Sequence, residues 1–433
     1  MMRRWAPPGG PRYWLSVVLL GVIGTAGVVA LALLAAGGPE PRVKWAYPAV
    51  TLAFILSTTQ AMPILALATR LTRGYWSVPL RRLAELGAVS GLVTAPLFIL
   101  LLLQLPEWHD RPSIWQEWPG APLVWDSIAV VALAVVGMLL LHVAALPDFA
   151  AARDAGAGGL TRLRALGWRG TLEQWHVLSS GLTLLGAFYL LLFTLVHLLV
   201  ATDLALSLVP HWTSAVIPPY HAISGIQGGV AATVLALGVL RRVAGPERID
   251  AAAFHACGVI LLALALIWFW FIWSEFVTFW YGRLPHERWL LSLLMFGPSL
   301  IPFLVAFTLC FLLPTILLIW NPIRNSVRGP VVVAALMLVG ILADRVRIFG
   351  AAWSVAGPVL PHDAPLPPLP AFPLPGLLDL LIVVGMPAAV LCLGLLVLRL
   401  LPPLALWELR AVDLVTVHEP LARARVAVVG KPS

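Results

Sequence analysis

Residues Gly181–Thr202 read GLTLLGAFYLLLFTLVHLLVAT, twenty-two residues without one Asp, Glu, Lys or Arg. As a helix such a run rises about 33 Å, enough to cross the roughly 30 Å hydrocarbon core of a bilayer. Working outward, the apolar stretch extends to 172–202, and nine more of comparable length surround it at about 13–36, 46–69, 83–105, 121–146, 215–240, 252–281, 289–320, 328–349 and 376–402. The expected fold is therefore an all-α integral membrane protein of about ten transmembrane helices. The first run is too long for a signal-peptide core and is expected to be retained.

Composition agrees. Of the 433 residues 60% are hydrophobic and 11% charged, and the mean hydropathy is +0.93. A soluble chain carries about 25% charge, so lipid has to be the solvent for most of this one. The net charge of +8 does not point to nucleic acid, because the basic residues sit in short loops between apolar runs,. Their distribution sets the topology instead. With the N-terminus on the cytoplasmic side, 21 of the 28 Lys and Arg residues fall in cytoplasmic segments and 7 on the other side. That asymmetry places both termini in the cytoplasm. Cys257, Cys310 and Cys392 each lie inside an apolar run, with no CxxC or CxxCH spacing. The chain is expected to hold no metal, c-type haem or iron–sulfur cluster of its own.

Ionisable groups at membrane depth are costly and are functional candidates by default. Placed by depth, Glu85, His142, His176 and His255 lie towards the cytoplasm. Asp126, His197, Asp203, His211, Glu275, Asp344, Arg345, Arg347 and Asp379 lie towards the outside. Neutral polar groups, among them Thr58, Thr59, Gln60 and Gln227, separate the two sets. Carboxylates, imidazoles and water carry protons, so the residue types suit two half-channels meeting at mid-membrane. Headgroup contact or capping near helix ends accounts equally for such groups, and is the expected role of Asp203, Asp344 and Asp379. The Trp-rich loop 106–120 and the Pro-dense stretch 358–375 read as an interfacial belt with a stiff connector, or as a docking surface.

Three stretches carry a resemblance. Thr72–Glu85, TRGYWSVPLRRLAE, resembles the inner-loop signature of the NrfD/PsrC superfamily: a basic turn with Trp and Pro, then Arg-x-x-Glu opening a helix. Asp203–Ser214, DLALSLVPHWTS, and Trp273–Glu287, WSEFVTFWYGRLPHE, are similar to one branch of it, the ActF membrane subunit of alternative complex III. Asp203, His211, Trp212, Trp280 and Tyr281 match that pattern, with Arg81 and Arg82 in the first stretch. Val209, Glu275, Arg283 and His286 depart from it, and Leu102, Leu103 and Gln104 stand where quinol-binding relatives carry a His-Gly-Arg-type motif.

The resemblance implies two four-helix bundles, about 46–202 and 215–349, flanked by helices at 13–36 and 376–402, with a cytoplasmic tail at 403–433. It implies a multi-pass subunit of the bacterial cytoplasmic membrane, in a quinol:cytochrome c or cupredoxin oxidoreductase. Its partners would be a related ten-helix quinol-oxidising subunit, a peripheral iron–sulfur subunit and cytochrome c subunits. The proton-path candidates are then Glu275, His197, Asp203, His142, His176, His255, Asp126 and Glu85. Docking or structural roles fall to His211, Trp212, Trp280, Tyr281, Arg81 and Arg82. Two other readings are an anchor for a molybdenum enzyme or hydrogenase within the same superfamily, and, from another class, a secondary transporter.

Overall fold

A computed structural model describes residues 8–72, 74–106, 115, 118–156, 163–245, 249–355, 366–421 and 424–429. Each of the ten apolar runs is helical over most of its length. The principal helices are α1 (Pro11–Ala36), α2 (Ala46–Leu56), α3 (Met62–Leu71), α4 (Val78–Leu86), α5 (Gly91–Leu102), α6 (Leu123–Asp154), α7 (Leu172–Asp203), α8 (Ile217–Ala244), α9 (Ala251–Gly282), α10 (Pro285–Leu291), α11 (Leu300–Phe307), α12 (Leu313–Ile319), α13 (Arg328–Arg345), α14 (Ala351–Ser354) and α15 (Leu377–Val397). By length and apolarity, eight helical segments among the described residues can cross a membrane.

The other two expected spans differ for physical reasons. Run 328–349 carries Arg328, Asp344, Arg345 and Arg347, so its helix is not uniformly apolar. Run 46–69 is not one helix. It breaks at 57–61, between α2 and α3. Pro63 in the first turn of α3 has no N–H to continue the ladder,. The hydroxyls of Thr58 and Thr59 donate back to the carbonyls of Phe54 (2.7 Å) and Ile55 (3.3 Å), and Gln60 N–H reaches the Ile55 carbonyl at 3.1 Å,. The third span starts earlier than expected, at Val78, and passes through a 3₁₀ turn, Gly87–Ser90, into α5. The eighth breaks between Phe296 and Leu300.

Many neighbours in the chain pack together, α6 against α5 and α7 and α8 against α7 and α9, while α8 also lies against α13 and the first helix, α1, runs along α15. At the basic end, Trp407 Nε1 donates to the Ala144 carbonyl (3.1 Å) and an Arg153 Nη2 to the Trp168 carbonyl (2.8 Å). At the far end, Trp353 Nε1 donates to the Leu204 carbonyl (3.0 Å) and the Tyr47 hydroxyl to the Pro373 carbonyl (2.7 Å). The tail holds α16 (Leu406–Val415) followed by an antiparallel pair, β1 (Thr416–Leu421) and β2 (Ala424–Val429). Much of the 106–120 loop and part of 358–375 lie outside the described residues.

Candidate functional site

Polar side chains gather in three places. The first is at the far end. The π turn Val346–Gly350 prolongs α13 and turns Arg347 into the core beside Asp344,. Asp344 accepts from Arg345 Nη1 at 3.1 Å and from Arg347 Nη2 at 2.7 Å, and all three residues are buried. Arg345 also donates to the Ser224 hydroxyl of α8. One turn before Ser224, His221 sets its ring 4.7 Å from that of His197 on α7, the two tilted by 43°. His197 Nδ1 meets the Phe193 carbonyl at 3.0 Å, so Nε2 is its acceptor nitrogen, and it has no hydrogen-bond partner,.

One carboxylate with two guanidiniums leaves a buried positive charge over. Glu275 of α9 is the acidic side chain that shares a cavity with this cluster: it and Arg347 line one small cavity with Tyr220 and Phe279, of about the size of a water molecule,. Glu275 Oε2 accepts from the Ser214 hydroxyl at 2.8 Å, and the Trp212 indole lies beside the same carboxylate. Ser214 is held in turn by the amides of Val216 (3.1 Å) and Ile217 (3.2 Å) at the start of α8. His211, at φ +60°, turns the chain so that Trp212 and Ser214 fold over Glu275,.

The second place is the helix break. Ser57, Gln60, Thr94 and Gln227 are all fully buried around it. Thr94 donates to Gln60 Oε1, and the Tyr189 hydroxyl to the Gln60 carbonyl. Gln227 Nε2 donates at 2.9 Å to the carbonyl of Cys310, which sits in the π turn Thr308–Leu312,. Two glycines let the backbones meet: a Cβ on Gly228 would stand 2.1 Å from the Ser57 carbonyl oxygen, and one on Gly87 would stand 2.2 Å from that of Thr59,.

The third is at the basic end, two residues before Gly87. Glu85 pairs with Arg70 and, at 3.4 Å, with Arg82 Nε. Arg82 Nη2 donates to Asp148 at 3.0 Å and to the Ala144 carbonyl at 2.7 Å. Glu408 joins Arg70 at 2.7 Å and Arg81 at 3.0 Å. From His221 through the break to Glu85, the three places follow one another as a series of polar groups, a seam, with Gly228 of α8 against Ser57 and Gly87 against Thr59 between them.

Residues 37–356 of the chain match the family described as Polysulphide reductase, NrfD. The chain belongs to the NrfD family. A comparison with curated proteins finds no match. NrfD family members are multi-pass membrane subunits that partner iron–sulfur and other redox subunits. The whole seam lies inside the NrfD-matched stretch, with one exception, Glu408.

Within this NrfD chain the expected residues separate. Glu275, His197 and Glu85 belong to the seam. Asp203 is buried where α7 ends, and the Ser207 hydroxyl donates to its carbonyl at 2.9 Å. Asp126 accepts from Trp115 Nε1 at 2.6 Å, beside a Trp115–Trp118–Trp125 cluster. The three expected inner histidines do not converge. His176 is exposed, His142 is half-buried beside Phe149, and His255 is half-buried. Among the described residues no hydrogen bond joins them to Glu85 or to one another. Their shared depth in the sequence said nothing of which helix face they occupy.

Asp344 is not a headgroup contact, as expected, but the centre of an ion triad. Asp379 does cap its own helix, accepting from Gly376 N–H at 2.9 Å. Trp212 is buried, which suits the structural half of its expected docking or structural role, whereas His211 is half-buried with its ring 5.6 Å from that of His286. Trp280 and Tyr281 are exposed, with Arg283 over the Trp280 ring at 5.6 Å. Sequence reasoning missed His221, Ser214, Asp148 and Glu408. A signal existed for His221: it opens a stripe with Ser224, Gly225 and Gly228 at helical spacing. Glu408 had none, since it lies in the tail.

Proposed function

We propose that this chain is an integral membrane subunit of a quinol:electron-acceptor oxidoreductase, akin to the ActF subunit of alternative complex III, and that its polar seam conducts protons. Quinol is oxidised elsewhere in the complex, and electrons pass through iron–sulfur clusters and c-type haems on partner subunits to a cytochrome c or cupredoxin. The protein sits in the bacterial cytoplasmic membrane with both termini inside, the arrangement that the Lys and Arg distribution favours,.

The observation that supports this reading is the order in which buried polar groups follow one another along the helices. Glu275 and its water-sized cavity stand at the far end, His197 and His221 follow, then Ser57, Gln60 and Thr94 at the helix break, then Glu85. Irregular backbone at membrane depth is tolerated where it is buried in protein or lines a hydrated path. Acid, imidazole, hydroxyl and amide groups in series are the chemistry a proton relay needs. The expected inner histidines are not part of this path, and Glu85 is its basic-end terminus.

The test is the company the protein keeps. Solubilised from its native membrane in mild detergent, it is expected to co-purify in fixed ratio with an iron–sulfur subunit, multihaem cytochrome c and a second ten-helix subunit. A molybdenum-enzyme or hydrogenase subunit in their place would assign it to the anchor reading instead. Recovery alone, or as a homo-oligomer, would overturn both. A secondary transporter draws some support from the break at 57–61. Transporters pair such breaks in corresponding helices of two repeats. Here the other break, at 297–299, falls in the eighth apolar run and the first in the second run, which are not equivalent positions in the two expected bundles.

A further inference from the structure

We propose that Arg70 and Arg81 form a carboxylate-binding socket at the basic end of the helices, which the chain closes with its own Glu408. Three guanidiniums (Arg70, Arg81, Arg82) meet three carboxylates (Glu85, Asp148, Glu408), so the cluster balances only with the tail in place. Among the described residues Glu408 is the one anionic partner of Arg81. Arg70 Nη2 is shared between Glu85 and Glu408, so the two carboxylate oxygens lie within about 6 Å of one another,.

The socket is organised independently of its occupant. Arg81 is held from three sides by neutral groups: Nε donates to the Ser77 hydroxyl at 3.0 Å, and Nη2 to the carbonyls of Thr69 (3.2 Å) and Gly74 (3.1 Å). That leaves Nη1 aimed at the carboxylate, 3.0 Å from Glu408 Oε2. Arg70 is oriented by Glu85. Both arginines keep about an eighth of their side chains exposed (13% and 12%), whereas Glu408 is 3% exposed. A fork of two guanidiniums with a fixed spacing recognises a carboxylate in preference to a spherical anion.

The occupant comes from a different part of the chain. The NrfD-matched residues end at 356, and Glu408 enters from α16, which is fastened separately by Trp407: its indole donates to the Ala144 carbonyl at 3.1 Å and its ring lies 5.4 Å from that of Trp175. Withdrawing the tail therefore leaves an uncompensated positive charge in a preformed site, open to a carboxylate from another source. The proposal does not depend on the proton-path reading.

The experiment is chemical rescue of Glu408→Ala in the full chain, followed by thermal unfolding in detergent. The variant is expected to melt lower than the parent. Acetate at tens of millimolar should recover at least half of the loss, chloride at equal ionic strength should not, and Glu408→Ala/Arg81→Gln should not respond to acetate. Rescue by chloride as effective as by acetate, or an equal acetate effect on the parent, would overturn the socket. If Glu408→Ala does not accumulate, Glu408→Asp and Glu408→Gln decide it. The socket requires that Asp retain most of the parent's stability and Gln lose most of it, and a Gln variant as stable as the parent refutes the proposal.

Discussion

Gly228 on α8 presses against the carbonyl of Ser57, where α2 breaks off, with no room between them for a methyl group. This contact seats the unwound segment 57–61 beside α8, and so brings its buried hydroxyls and amides into line with His221 and His197. A methyl at Gly228 would stand 2.1 Å from the oxygen and 2.9 Å from Ile341 Cδ1. Gly228→Ala is therefore expected to destabilise the protein by about 1–3 kcal/mol through overpacking. Gly394→Ala on α15, where nothing lies within 4 Å, is the matched control and should be neutral. Thermal unfolding of the two variants in the same detergent checks the difference, and equal melting points would contradict the contact.

Asp344 holds two buried arginines at once, so its loss is expected to be the most damaging substitution in the far-end cluster. Asp344→Asn leaves Arg345 and Arg347 without their shared counter-charge at a cost of about 3–5 kcal/mol,. Folded yield and melting temperature report it. Asp379→Ala removes a cap at the start of its own helix and should cost about 1 kcal/mol,.

Glu275→Gln keeps the volume of the side chain and an acceptor for the Ser214 hydroxyl, while removing the proton-exchanging group that shares a cavity with Arg347. Assembly is expected to survive and proton-coupled turnover to slow about 10²-fold or more, the usual scale for losing a positioned proton-transfer group. Proton release measured per electron in reconstituted vesicles checks it. Unchanged proton release at normal turnover would remove Glu275 from the path.

His211 turns the chain at positive φ and presents its ring half-exposed beside His286. His211→Ala is expected to weaken association with the partner subunits while the isolated chain stays folded. Native gel migration is the readout, and an intact complex would reject a docking role. Gly at the same position relieves the backbone strain, so His211→Gly should be at least as stable as His211→Ala.

The amino-acid sequence by itself determined the solvent and the helices, and its charge asymmetry set the expected orientation. Long apolar runs admit helices alone in a bilayer, and charge asymmetry orients them, both local properties that need no contacts. It also marked Glu275, His197 and Glu85, because a charge or imidazole at membrane depth is conspicuous in one dimension. What it left open was which of these residues meet. His142, His176 and His255 share a depth with Glu85 yet face elsewhere, since depth fixes position along a helix axis and not rotation about it.

Only the tertiary structure decided that Asp344 binds two arginines, that the break after Leu56 packs against Gly228, and that Glu408, more than three hundred residues on from Arg70, completes the charge balance at the basic end. Each of these depends on groups far apart in the chain approaching within hydrogen-bond distance in an interior of low dielectric. There an unmatched charge is costly, so packing and charge pairing have to be satisfied together.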